Sequence, residues 1–320
     1  MFSKKIFTLI LIVTILSLLI LSVSCTQPVT EQDAGSIKVT DGIGQQVSMD
    51  RPVEKMIVFA PSVLEVLDAL DAMDKVIGVD SWSIESGEPL AQGFEAYGDF
   101  NGPNIEKIAE ANPDLVIRLS GSSEEDYDKL RELGITIYTF EAQSFDWAYQ
   151  EIINLGQMIG KEDEAEQLKN EFEQQVEDIY TKVKDLEQDQ KPTVFYEIFD
   201  DPLWSAGKDT YINDMIEKAG GINIVARDGL EGYAEYSVEK LLDNNPQVMV
   251  AGDGGMYEAR TGEIILEDPR FSTVSAVTGG RVYVVPENSI VRPNHNSVKG
   301  LMMLAKAFHQ DIFGQFEIIE

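Results

Sequence analysis

Two similar α/β lobes with mainly parallel sheets, joined by one long rigid α-helix, are the fold this sequence predicts. Three observations carry the prediction. Strand-like and helix-like stretches alternate along the 320 residues. A segment occurs twice, as NIEKIAEANPDLVI at 104–117 and SVEKLLDNNPQVMV at 237–250, with equivalent positions 133 residues apart. Between the copies, Leu168, Phe172, Val176, Ile179, Val183 and Leu186 recur at steps of three and four, which keeps one helical face apolar. The offset of the copies has the size of a small domain, far longer than the period of a solenoid.

The elements follow in order. KMIVFA at 55–60 reads as a strand, and SVLEVLDALDAM at 62–73 as a helix with Ser62 as its N-cap. KVIGVD is a short strand, then comes the first copy of the repeat, then DYDKLRELGITIYTF, a helix stopped at Gly134 and a strand. The second half runs in the same order: the strand TVFYEIF, the helix TYINDMIEKAGG, the short extended piece INIVA, the second copy, the strand GRVYVVP and the closing helix SVKGLMMLAKAFHQDIF. The expected organisation is a signal segment at 1–24, a polar tether at 25–36, a first lobe at 37–143, a helical backbone at 144–190 and a second lobe at 191–320. A helix over 163–186 would be about 36 Å long at 1.5 Å per residue, enough to reach along both lobes. Fewer than four heptads without a sustained a/d pattern argue against a coiled coil.

Composition excludes some functions. With 56 acidic against 25 basic residues the formal charge is −31, which repels nucleic-acid phosphates and anionic lipid. Two histidines and one cysteine cannot build a histidine-rich cage for free zinc or manganese. The lone Cys25 also leaves no internal disulfide and no cysteine set for a metallocluster.

Lys4 and Lys5 precede an apolar run from Ile6 to Val23, the layout of an export signal. Cys25 directly behind Ser24 resembles a bacterial lipoprotein signal, although the aliphatic Leu21 lies four residues before the cysteine instead of the usual three. The resemblance implies lipidation at Cys25 and a body tethered to the outer face of the cytoplasmic membrane. An uncleaved apolar anchor is the alternative.

In each copy of the repeat an Asn or Ser, Asn104 or Ser237, stands at the N-cap, and Glu106 or Glu239 falls in the first helical turn. There a carboxylate gains about 0.3–1 kcal/mol from the unpaired N–H groups and the helix dipole. Asn-Pro ends each helix and launches a strand. The duplication adds a second reading: two corresponding turns present one carboxylate each, a two-point contact for a partner with matched arginines.

At this point the chain resembles the extracytoplasmic substrate-binding proteins of ABC importers for iron complexes, haem and cobalamin, the class III periplasmic-binding-protein type. The residues that carry the resemblance run from IKVTDGIGQQVSMDRPVEKMIVFAPSVLEVLDALDAMDKVIGV through both repeats and WSAGKDTYINDMIEKAGGINIV to VRPNHNSVKGLMMLAKAFH. It implies that Glu106 and Glu239 dock onto arginines of a membrane permease with its ATPase. It also implies a preformed interlobe cleft that holds a metal chelate (a corrinoid, a ferric siderophore or haem), no resident cofactor, and a monomer.

Loops at strand ends supply the candidates for that cleft. Trp82, Phe100, Phe199, Trp204 and Tyr233 offer aromatic faces to a large flat ligand. The resemblance further places Trp82, Phe100 and Tyr233 where cobalamin-binding relatives have aromatic contacts. Arg118 and Arg292 are scarce cations that would favour an anionic ligand. His295 is a candidate ligand for haem iron or corrinoid cobalt or else a plain loop histidine, while His309 on the closing helix is structural. An enzyme is the competing class, either of the metallocluster or chelatase kind or a glycosidase using Glu106 and Glu239. The missing cysteines, the separate-lobe positions of the two acids and the absence of a G-x-S-x-G elbow weigh against it.

Overall fold

A computed structural model describes residues 36–99, 102–121, 124–253 and 262–319. Residues from Ile37 onward form one compact unit. It opens with an antiparallel hairpin, β1 (Ile37–Thr40) and β2 (Gln46–Met49). The first lobe then builds a five-stranded parallel sheet from β3 (Met56–Phe59), β4 (Val76–Val79), β5 (Glu95–Ala96), β6 (Leu115–Leu119) and β7 (Thr136–Phe140), in the order β5-β4-β3-β6-β7. The second lobe builds a four-stranded parallel sheet from β8 (Thr193–Glu197), β9 (Ile222–Asn223), β10 (Val248–Asp253) and β11 (Val282–Pro286), in the order β9-β8-β10-β11. The duplication is visible in these orders, since β4-β3-β6-β7 and β9-β8-β10-β11 are the same path. Runs such as MIVF and VFY are apolar at successive positions because helices cover both faces of a parallel sheet.

The helices that place the site are α1 (Pro61–Ala69), α2 (Ile105–Ala111), α3 (Glu124–Glu132), α4 (Phe145–Ile159), α5 (Glu162–Tyr180), α6 (Tyr211–Lys218), α7 (Val238–Asn244) and α8 (Ser297–Phe308). Helix α1 starts two residues earlier than the expected Ser62 cap allows, with Ala60 at the N-cap. Pro61 takes its first turn, where a missing N–H costs nothing, and Ser62 lies buried inside the helix instead of capping it. The piece INIVA is a two-residue strand followed by a short helix at 224–227, and the closing helix breaks at His309.

The segment between the lobes holds two helices packed against each other, α4 and α5. Helix α5 is shorter than its periodicity suggests, 19 residues and about 28 Å. Beyond Tyr180 the chain continues in tighter turns, with Val183 N–H on the Tyr180 carbonyl and Leu186 N–H on that of Val183. Such turns keep side chains near the same face, so Val183 stays fully buried although the regular helix has ended. Phe172 meets Phe145 and Tyr149 with ring centroids 5.7 and 5.0 Å apart. One apolar cluster runs without a break from Val39 and Val58 through Phe145 and Phe172 to Val250 and Leu304, so both lobes share a core with the helix pair. A shared core resists swinging of one lobe on the other.

Gly156 allows the two helices to approach. A Cβ at that position would lie 2.2 Å from the Ala165 Cβ. Gly156→Ala is expected to destabilise the fold by about 1–3 kcal/mol, and adding Ala165→Gly should recover part of the loss in thermal melts. An unchanged melting temperature for the single variant would contradict this tight crossing.

Candidate functional site

The two copies of the repeat fold alike. Asn104 Oδ1 accepts from the Lys107 N–H at 3.0 Å, and Ser237 Oγ accepts from the Lys240 N–H at 3.2 Å. Both helices end on an asparagine in the left-handed region, Asn112 at φ 46° and Asn245 at φ 43°, a conformation asparagine tolerates better than most residues. Each proline then directs the chain into the equivalent central strand, β6 or β10. Glu106 and Glu239 are exposed, and neither takes part in an ion pair among the described residues. A helix that returns to start a parallel strand begins beside the carboxyl ends of the sheet, so both acids stand at the strand-end edge of their lobe.

The same edge carries a cleft of about 630 Å³, lined from both lobes. From the first lobe come the start of α1, the loop after β4 and Leu119 at the end of β6; from the second come the segment after β8, Tyr233 and the loop after β11. Of the residues expected there, Trp82, Phe199, Trp204, Tyr233 and Arg292 line it. Phe100 lies outside the described residues, as does Cys25.

Three of the aromatics share one small platform. Residues 199–200, 203–206 and 233–235 form an antiparallel sheet in which Phe199 pairs with Trp204 and Ala206 with Tyr233. Side chains alternate along a strand, so Trp204 and Ala206 share a face, and their partners Phe199 and Tyr233 join it. Ser205 points the other way and donates from Oγ to the Tyr196 carbonyl at 2.6 Å. Phe199, Trp204 and Tyr233 keep 38%, 37% and 55% of their surface exposed, a large apolar face left open. Trp82 is set by a capped turn in which Asp80 accepts from the Ser83 N–H at 2.8 Å.

The cations depart from expectation. Arg118 is not a cleft residue: it is 2% exposed, donates from Nε to Thr139 Oγ1 at 3.1 Å, pairs with Glu124 and lies 4.7 Å over the Tyr127 ring. Strand β6 runs two residues further than the apolar pattern marks, so Arg118 remains within the sheet and Leu119 reaches the cleft. Arg292 does line the cleft, yet Glu65 and Glu88 hold it at 2.7 and 2.5 Å. Burial works against its charge, and the two carboxylates outweigh burial and raise its pKa above the usual value. Neither arginine stands open to an anionic ligand.

His295 is absent from the lining. It is half-buried, its Nδ1 has no hydrogen-bond partner, and burial lowers its pKa. His309 Nε2 sits 3.1 Å from the Gly220 carbonyl in the core, the structural role expected of it. No group of three His, Cys, Asp or Glu side chains arranged to hold a metal ion occurs among the described residues, and no helix there is long and apolar enough to cross a membrane. Sequence reasoning missed Glu88, Ile198, Ile212 and Glu287 in the wall. Their only signal was proximity to a strand end.

The periplasmic binding protein family matches residues 56–289. An uncharacterized ABC transporter substrate-binding lipoprotein of Bacillus subtilis, YvrC, is 29% identical over 302 residues, which are 90% of this chain and 93% of that one. A cobalamin-binding protein of Halobacterium salinarum is 27% identical over 289 residues, 89% of this chain and 75% of its own. The crystal structure of the periplasmic vitamin B12 binding protein BtuF of Vibrio cholerae shares the fold, with a TM-score of 0.67 at 24% identity over 80% of this chain and 96% of that one.

Proposed function

The chain belongs to the periplasmic binding protein family, as a substrate-binding protein of the ABC-importer kind and not an enzyme, and from that premise we propose that its cargo is a corrinoid. The observation that carries this reading is the open aromatic face of the cleft, combined with an arginine already neutralised by protein carboxylates. A corrinoid edged with amides needs broad apolar contact and hydrogen bonds; it does not need a free cation. Haem propionates and anionic ferric siderophores do, and among the described lining residues Arg292 is the only cation. The cobalamin-binding relative from Halobacterium salinarum supports the same choice.

The protein works outside the cytoplasmic membrane, as its family does. In the fuller reading Cys25 carries a lipid anchor, the protein acts as a monomer, and Glu106 and Glu239 dock it onto the permease that passes cargo inward with its ATPase. The continuous core between lobes favours a cleft that is largely formed before ligand arrives.

Absorbance spectra of protein purified with its natural cargo separate the candidates, since corrinoid, haem and ferric siderophore differ in colour. Trp82→Ala and Tyr233→Ala are each expected to weaken cyanocobalamin binding by about 1 kcal/mol or more, roughly fivefold, through lost stacking. A haem spectrum, or titration curves unchanged in both variants, would overturn the corrinoid reading.

A further inference from the structure

Arg292 reaches from the second lobe into the first. Its Nη1 donates to Glu65 Oε1 at 2.7 Å and to Glu88 Oε2 at 2.5 Å, partners 227 and 204 residues away in sequence. Glu65 is fixed in turn, because its other oxygen accepts from Asn296 Nδ2 at 2.7 Å. Asn294 Nδ2, between them on the same loop, donates to the Ser62 carbonyl at 3.3 Å. The side chains of Arg292, Glu65 and Glu88 are 14%, 15% and 6% exposed, so water screens the triad only weakly. Arg292 and Glu88 face the cleft, whereas Glu65 is not among the lining residues and stands behind them.

A single guanidinium shared by two carboxylates has no charge left for a ligand. A carboxylate entering beside Arg292 also meets the Glu88 carboxylate, and like charges at short range in a poorly screened site repel. An amide in the same place meets acceptors to which its N–H groups can donate. We propose that Glu65 is a positioning residue which commits the charge of Arg292 to the protein's own carboxylates and thereby selects corrinoids edged with amides over those edged with carboxylates. The inference rests on the corrinoid reading above.

Dicyanocobinamide and cobyrinic acid share the corrin ring but carry amides and carboxylates respectively, so their affinity ratio reads this selection. Calorimetric titration in 0.5 M NaCl, where the Debye length falls to roughly 4 Å, screens the bulk field of the acidic chain. The native protein is expected to prefer dicyanocobinamide by more than about tenfold. In Glu65→Gln the affinity for dicyanocobinamide should stay within about threefold, while cobyrinic acid gains at least about tenfold. A residue that merely supports the fold would weaken both ligands together and leave the ratio unchanged. Equal binding of both ligands by the native protein, or an unchanged ratio in Glu65→Gln, overturns the proposal. Where Glu65→Gln does not fold, Glu65→Asp, too short to span Arg292 and Asn296 together, takes its place with the same expectations. If neither corrinoid binds the native protein, the cargo reading itself falls, and this selection with it.

Discussion

Ligand import is expected to fall to background when Glu106 and Glu239 are both replaced by alanine, while ligand affinity stays at its native value. Both carboxylates are exposed at the start of equivalent helices, and neither is committed to an ion pair among the described residues. Their local duty is small. Each gains about 0.3–1 kcal/mol from its helix terminus, and the caps themselves, Asn104 and Ser237, remain in the double variant. Stability should therefore drop by no more than about 2 kcal/mol for the pair. In the proposed docking role the two acids would matter far more heavily. Two such contacts on one body would act together, so losing one would leave a weak single-point attachment and losing both would leave none. Each single variant should keep partial uptake. The measurement pairs uptake by cells or proteoliposomes that hold the permease with calorimetric titration of the purified variants. Full uptake by the double variant would remove these acids from the docking surface, and lost affinity would move them into the cargo site.

The repeat was legible because its chemistry is local. A capping side chain, an acid in the first turn and Asn-Pro at the exit are each decided within a few residues, and the helices and strands follow those signals in both lobes. The aromatics at strand ends were legible as individual residues, since loops at the carboxyl edge of a parallel sheet are where ligands collect. Their arrangement was not. That Phe199, Trp204 and Tyr233 share a face follows from strand register, a non-local property that no run of residues states. Charge partners were hidden for the same reason. Nothing near Arg292 in sequence announces Glu65 or Glu88, and nothing near Arg118 shows that Thr139 and Tyr127 enclose it. Both arginines looked open because a sequence displays a charge without its neutraliser. The expected helix over 163–186 erred in the other direction: apolar periodicity records which face is buried, and the tighter turns after Tyr180 preserve that face without preserving the helix.

The contribution of Glu151 to stability is expected to decline as pH rises from about 4.5 to 8, and Glu151→Gln to remove that decline. Glu151 on α4 is 4% exposed. Tyr138 donates its hydroxyl to Glu151 Oε2 at 2.5 Å, and Asn154 Nδ2 donates both to that hydroxyl at 2.8 Å and to the Thr40 carbonyl at 2.9 Å. Burial pushes the Glu151 carboxyl up to about 8; hydrogen bonds from Tyr138 and the Glu141 backbone offset part of this, and the Asp41 and Glu141 carboxylates add to it. In the unfolded chain the group titrates at about its ordinary value of 4.5. Below that pH both states hold the proton and the contribution of Glu151 is fully present. Between 4.5 and 8 only the unfolded state gives the proton up, so stability falls by about 1.4 kcal/mol per pH unit. Above 8 the folded state ionises too and the loss is complete, on the order of 5 kcal/mol. Glutamine keeps an acceptor for Tyr138 and has no proton to lose. The gap in melting temperature between Glu151→Gln and the native protein, whatever its value at pH 5, should therefore widen steadily in favour of the variant up to pH 8 and then stay level. A gap that does not change with pH would show that Glu151 is ionised in the fold. Because this network joins the β1 hairpin, β7 and α4 where the helix pair leaves the first lobe, its alkaline weakening should appear first as faster amide exchange in those three elements, ahead of the second-lobe sheet.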